Sequence, residues 1–365
     1  MSTQDIELKK SLLSPPGDTI QETIDEIGMS QAELAERLGR PKEKVNDLIK
    51  GREIITTDSA FRLEKVLGIP ASFWLNRERE FRQELYAIGQ EEFLVQCQDW
   101  LKEFPIREMK KLGWITNTSD KPTLVDETLR FFGVASPKEW KRIYIAQEVS
   151  VAFRISLANT QSPQALSTWL RKGQLEAAKL ELPEYNEARF KETLLEIKHL
   201  VNEFPENYAQ QLQQKCAECG VGVVYVPNLS KAPVSGASRW VHGNPLIQLS
   251  GRYKTDDHFW FTFYHEAGHI MLHGKKDIFL ENVKGTPIDE QKENEANAFA
   301  ASALLSEKEL DAVKEYHTWT RELFIELANK FNTSPGVIIG RLQHLGLVGW
   351  GVGNGLRQKV DLFNE

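Results

Sequence analysis

Apolar residues recur along the chain at spacings that mark out its elements. Ile20, Ile24 and Ile27 fall on one helical face, and Gly28 follows as a stop. Ser30 with Glu33 three residues on predicts a capping box. It opens a second helix that turns Leu34, Ala35 and Leu38 inward and closes at Gly39. Pro41 suits the first turn of a third helix, with Val45, Leu48 and Ile49 inward and Gly51 beyond its end. A fourth is expected from about Thr57 to Leu67, ahead of Gly68 and Pro70. Further on, Leu194, Ile197, Leu200 and Val201 keep helical spacing, and the run from Gly220 to Val226 reads as a strand. An apolar lead-in, Phe259 to Phe263, enters another helix, and Glu290 to Leu305 is helical throughout. The pattern predicts a mainly α protein with a small β-sheet, of the α+β class. Its expected segments are an all-α domain over 1–79, a helical middle domain over 80–205, a mixed lobe over 206–305 and a helical extension of that lobe over 306–365.

Composition narrows the function classes. Of 365 residues, 41% are hydrophobic and 27% charged, ordinary values for a globular protein. The net charge of −7 excludes a broadly basic nucleic-acid coat or polybasic membrane binder, so DNA contact needs a local basic surface. Apolar runs are too short for a membrane helix, and the start MSTQDIELKKSLLSPPGD lacks the apolar core of an export signal. Three cysteines, Cys97, Cys216 and Cys219, are too few for a disulfide framework. The cytoplasm is the expected location, with no membrane partner. Cys216 and Cys219 are expected to be a buried, inert pair.

Two short helices joined at a glycine are what a helix-turn-helix requires, and the third predicted helix would enter the major groove. Arg40, Lys42, Lys44, Asn46 and Lys50 are its candidate DNA contacts, to phosphates or base edges. Glu43 and Asp47 on the same helix weaken base reading. The run from Ser30 to Asn76, SQAELAERLGRPKEKVNDLIKGREIITTDSAFRLEKVLGIPASFWLN, resembles Xre-type helix-turn-helix proteins and, more narrowly, HigA-type antitoxins.

The most specific chemistry lies in FWFTFYHEAGHIMLHG. His265 and His269, four apart on a helix, share one face and can reach one metal ion. Glu266 sits beside them, placed to take a proton from water. A catalytic zinc site needs a third protein ligand. Glu293 and Glu295 compete, and Glu293 is chosen because it shares a face with Ala296, Asn297, Ala300 and Leu304, the small-residue face suited to pack on the motif helix. Asn297, one turn on, is a candidate to orient a ligand. His273 is a candidate for the same role or for substrate contact, and Arg239 and His242 are candidates to steady a developing oxyanion.

SGASRW, LIQLSGRYKTDDHFWFTFYHEAGHIMLHG and KENEANAFAASALL resemble the ImmA/IrrE metallo-endopeptidases, and the order of ligands is similar to that of gluzincins. The resemblance implies a zincin-like lobe binding Zn2+, or Mn2+ in its place. It implies cleavage of an Xre-type repressor or another protein partner in a stress or phage response. The N-terminal resemblance adds DNA and a toxin as partners. A second reading stays open: a non-proteolytic antitoxin or repressor, binding DNA as a homodimer, whose peptidase-like lobe senses metal or ligand. FNTSPGVIIGRLQHLG, a further helix-turn-helix-like stretch, is expected to belong to the peptidase lobe.

Overall fold

The computed structural model describes residues 3–146, 162–274, 279–280 and 290–363. The chain divides into two compact units, Met1–Leu101 with Thr118–Asp126, and Lys102–Asn117 with Glu127–Glu365.

The first unit is helical: α1 (Thr3–Leu12), α2 (Pro16–Glu26), α3 (Gln31–Leu38), α4 (Lys42–Ile49), α5 (Thr57–Leu67) and α6 (Ala71–Gln96). Its core gathers Ile20, Ile24, Leu34, Leu38, Val45, Leu48, Leu63 and Trp74. Ile27 departs from the expected pattern. α2 ends at Glu26, so Ile27 lies past the helix and is exposed, and Met29 takes the buried position. The Ser30 cap forms, its hydroxyl accepting from the Glu33 amide, but the Glu33 carboxylate bonds Arg37 one turn on instead of reaching back. The Arg37 guanidinium offers a charge-assisted bond where the Ser30 amide offers a neutral one. α1 was not foreseen. It is fastened to α6 by Lys9–Glu91 at 2.7 Å and Lys10–Glu92 at 2.8 Å. The boundary expected at residue 79 falls inside α6.

The chain continues through α7 (Ile106–Lys111), α8 (Lys121–Phe132), α9 (Pro137–Lys141), α10 (Pro163–Ala177), α11 (Glu187–Glu196), α12 (Lys198–Glu203) and α13 (Tyr208–Glu218) to a four-stranded sheet. Its strands are β1 (Gly222–Tyr225), β2 (Gly236–Val241), β3 (Asn244–Leu249) and β4 (Phe279–Leu280), in the order β1-β3-β2-β4. β1 pairs parallel with β3, Val223 opposite Ile247, and β2 pairs antiparallel with β3, Ser238 opposite Ile247. His242 and Gly243 make the two-residue turn of that hairpin with φ of 51° and 92°, the left-handed backbone such turns require.

Successive strand residues face opposite ways. Val224, Ala237 and Leu246 pack with Trp169 and Leu170 of α10. Val223, Ile247 and Leu249 pack with α14 (Asp256–Leu272) in the largest core. α15 (Glu290–Leu304) packs against α14, and α16 (Glu307–Lys314), α17 (Arg321–Lys330) and α18 (Pro335–His344) follow. The C-terminal stretch pairs back onto the start of α14: the Asp256 amide donates to Gln358, and Arg357 bonds the Asp257 carboxylate at 2.8 Å. Burial alone would raise Asp257, but bonds from His258 and Thr255 and the charge of Arg357 bring it down to about 2.

Candidate metal centre

α14 carries the motif because nearly every side chain from Phe259 to Ile270 is buried, so its imidazoles are held in a packed helix rather than on a mobile surface. Its lead-in is core, as expected for Phe259, Trp260 and Phe263. Phe261 differs: it is only half-buried and lies at 6.3 Å from the His265 ring, interplanar angle 29°.

His265 and His269 turn their Nε2 atoms toward each other, 3.0 Å apart. Glu293 of α15 closes the triangle, Oε2 at 3.3 Å from His265 Nε2 and Oε1 at 3.4 Å from His269 Nε2. Among the described residues, this is the group of three whose ligand atoms converge. The spacing fits a small divalent ion. With bonds of about 2.0–2.1 Å, tetrahedral donors stand about 3.3 Å apart. Two imidazoles and one carboxylate are also a borderline donor set suited to zinc and to other divalent ions.

The electrostatics keep these groups in their metal-binding forms. Burial pulls His269 down to about 4, with the Glu293 carboxylate pulling the other way, so the ring is neutral near pH 7. Burial pushes Glu293 up, but the adjoining His265 and His269 side chains outweigh that and bring it to about 2.

The helices meet closely enough for this because small residues line the contact. A Cβ at Gly268 would come within 3.1 Å of the Phe299 ring and 3.3 Å of the Ala296 Cα. Ala296 and Ala300 are fully buried on the facing side. Glu295, two residues from Glu293, points elsewhere and bonds His273 at 3.0 Å.

Glu266 is fully buried beside its histidines. Strand β2 crosses directly over it: a Cβ on Gly236 would stand 2.8 Å from Glu266 Oε1 and 2.7 Å from Thr262 Cγ2. The remaining predicted residues separate. Asn297 Oδ1 lies 3.0 Å from His265 Nδ1, and His273 Nδ1 lies 3.0 Å from His269 Nδ1, so both touch the histidines. Arg239 is not brought to the cluster. It is buried on the α10 side of the sheet, donating to the Leu170 carbonyl at 2.6 Å and to Gln248 at 3.0 Å, with burial lowering it to about 10. His242 is exposed in the hairpin turn. The Cys216–Cys219 pair is buried and free, and burial raises both thiols.

Next to the cluster is a cavity of about 730 Å³, lined by Phe261, Thr262, Asn297, Ala301, Arg341 and Trp350 among others. Asn297 is thus shared between the cavity wall and the His265 contact. Phe261, expected from the sequence to be core with its aromatic neighbours, packs only partly against the core and also lines this cavity; the role of Gly236 comes only from strand pairing over the helix.

In the first unit, α4 carries the predicted DNA contacts. Three of the basic groups on and around α4 are held in ion pairs: Arg40 to Asp58 at 3.3 Å, Lys44 to Glu53 at 2.8 Å and Arg52 to Asp47 at 2.6 Å. Asn46 Oδ1 accepts from Arg52 at 3.4 Å. Lys42 and Lys50 are exposed, with no ion pair among the described residues.

Residues 216–343 match the family model described as the IrrE N-terminal-like domain, Peptidase M78, and residues 20–74 match that of a helix-turn-helix. A curated relative is the uncharacterized HTH-type transcriptional regulator YddM of Escherichia coli K12, 34% identical over 61 residues, which are 17% of this chain and 65% of that protein. Another is the uncharacterized HTH-type transcriptional regulator YbaQ of the same organism, 39% identical over 62 residues, 17% of this chain and 55% of that one. The chain therefore spans less than two thirds of the length of either. Among solved structures, it is similar to a putative antidote protein of a plasmid maintenance system from Nostoc punctiforme. That match has 31% identity and a TM-score of 0.22, covering 22% of this chain and 89% of that one. It is also similar to an addiction module antidote protein of the HigA family from Coxiella burnetii. There the identity is 27% and the TM-score 0.19, over 24% and 89%.

Proposed function

We propose that this chain, an Xre-like helix-turn-helix domain joined to an IrrE/ImmA-like domain, is a cytoplasmic transcription regulator that cuts a protein partner by zinc-dependent hydrolysis. The observation that carries the reading is the convergence of His265, His269 and Glu293 within 4.8 Å, beside a carboxylate, Glu266, sealed from bulk water. These three side chains hold the cation, zinc or manganese. When bound, it supplies Lewis acidity toward a water molecule and a peptide carbonyl.

The rest falls to the chain's own groups. Glu266 accepts the proton of the attacking water on its carboxylate and delivers it to the departing amine nitrogen. Asn297 keeps the His265 proton on Nδ1, so that Nε2 presents a lone pair to the ion. Trp260 and Phe263 exclude water from the core side of the helix. The cavity along Phe261 and Asn297 supplies apolar space for a substrate side chain. The helix-turn-helix unit brings the lobe to DNA, where an Xre-type repressor is the expected substrate.

The test is incubation of the zinc-loaded chain with Xre-type repressors of its own cell, with fragments read by mass spectrometry. The wild type cuts one of them. Glu266→Gln keeps its zinc and loses about 10²–10⁴-fold in rate. Undiminished cleavage by Glu266→Gln would rule out Glu266 as the proton carrier.

A further inference from the structure

We propose that Arg341 is a specificity-determining residue, which receives an acidic side chain of the protein substrate about two to four residues from the scissile bond, in the cavity beside the metal centre. The inference rests on the reading of His265, His269, Glu293 and Glu266 as a cleavage centre and adds the class of sequence that this centre takes.

The cavity, about 730 Å³, falls within the range of about 300–1,000 Å³ usual for sites that take a whole ligand. It starts at the metal centre, since Asn297 of its wall contacts His265 at 3.0 Å. It reaches α18, whose Gly340 meets α14 at Asp257: a Cβ on Gly340 would stand 3.1 Å from Asp257 Oδ2. Asp257 lies about two helical turns before His265, or about 12 Å along the helix. An extended peptide rises about 3.3 Å per residue, so about three to four residues cover that distance, and the length of an arginine side chain shortens the count. Arg341, next to Gly340, lines the cavity. A substrate seated at His265 thus brings a residue a few positions from its scissile bond to Arg341.

Much of the wall is apolar, with Phe261, Ala301, Leu304, Val337 and Trp350. Its Arg357 is fully engaged, donating to Asp257 at 2.8 Å, to Gln343 at 2.7 Å and to Asn354 at 2.6 Å. Asp257 is thereby matched, and His258 lies 3.3 Å from its other oxygen. Arg341 is different. Among the described residues its guanidinium makes one bond, from Nη2 to Glu307 Oε1 at 3.4 Å, and its Nε is buried without a partner. A guanidinium has five N–H donors and keeps its charge. The Glu307 contact is longer than the roughly 2.7–2.9 Å of a charge-assisted bond. Glu307 is also 71% exposed against 23% for Arg341, so its carboxylate stays in water. A carboxylate arriving through the cavity can make the planar two-point pair that Glu307 does not, and the apolar wall strengthens that pair by excluding water. Glu307 is then a weak internal competitor for the same guanidinium.

The experiment selects a random nine-residue peptide library for binding to the full zinc-loaded chain carrying Glu266→Gln, which holds substrate without cutting it. The selection is repeated with Arg341→Ala, Arg341→Glu or Glu307→Gln added. The best peptide and its counterpart with the acid replaced by the amide are then titrated by fluorescence anisotropy. Asp or Glu should be enriched at one position, with the acid bound about 10–100-fold more tightly than the amide. That ratio should fall to about one in Arg341→Ala, and Arg341→Glu should select Lys or Arg there instead. Glu307→Gln, a surface change, should raise the ratio by about 2–5-fold. The zinc-loaded wild type should cut the selected peptide about two to four residues from its acid.

A selection without acidic preference, or a preference that survives Arg341→Ala, overturns the assignment. If circular dichroism shows the Arg341 variants misfolded, Glu307→Gln decides, and an unchanged ratio there overturns it as well. Failure of the underlying reading looks different: the peptide would be bound with its dependence on Arg341 intact and left uncut by the zinc-loaded wild type. The pair would then stand and its place in cleavage would fall.

Discussion

At the scale of single residues, Glu266 depends on a glycine thirty positions earlier. Its carboxylate lies under β2 at the one place where that strand carries no side chain on the near face, and a methyl at Gly236 would stand 2.8 Å from Oε1. Gly236→Ala therefore pushes the carboxylate aside without touching a metal-holding group. Misplacement of about 1 Å costs on the order of 10²-fold in rate, so the variant should lose cleavage by that factor while keeping zinc. Metal analysis beside a cleavage assay checks this, and unchanged cleavage would show that the contact is slack. The spacing of His265, Glu266 and His269 was legible because helical periodicity alone puts the two histidines on one face. Glu293 was separable from Glu295 by the same periodicity. The role of Gly236 was not legible, since it arises from a strand and a helix far apart in sequence. Arg239 misled for a related reason: an arginine in a strand next to the motif can face either side of the sheet, and this one faces α10.

At the scale of elements, the site exists because α14 and α15 approach closely. Gly268, Ala296 and Ala300 form that contact. Gly268→Val would drive a branched side chain into Phe299 and Ala296. Overpacking costs about 1–3 kcal/mol, and the helices would part by enough to carry Glu293 from the imidazoles. The expected result is a lower melting temperature for the apo chain and zinc affinity down by at least about 10-fold. Unaltered zinc affinity would mean that the helix separation does not set the ligand triangle. Helices α2 to α5 were readable because glycine and Ser/Thr punctuation agrees with apolar spacing, as at Thr56 and Gly68 flanking α5. The β2–β3 hairpin was not, because its turn is His242-Gly243, without the Asn-Gly or Asp-Gly signature. α1 escaped because Ile6 is its one apolar side chain that is buried while Leu8 and Leu12 are exposed, so no periodic apolar face marks it, and its ion pairs to α6 lie at the surface.

At the scale of the whole molecule, two stretches of the chain match two different family models. The α+β class and the order of a helix-turn-helix before a peptidase-like lobe were legible in the sequence and agree with the matched families. The helix-turn-helix unit presents Lys42 and Lys50 exposed, whereas Arg40, Lys44 and Arg52 are occupied by carboxylates. If these two lysines make the phosphate contacts, replacing both with alanine should flatten the log–log salt dependence of DNA binding by about 2, at about 0.9 per contact. Fluorescence anisotropy across a salt series checks it, and an unchanged slope would move the DNA contact to another face.

The most direct measurement is the metal content of the purified full chain, wild type beside Glu293→Ala. The ligand set His265, His269 and Glu293 predicts about one zinc per wild-type chain and almost none in Glu293→Ala. A wild-type chain that takes up neither zinc nor manganese, or a Glu293→Ala chain that retains the full amount, would contradict it.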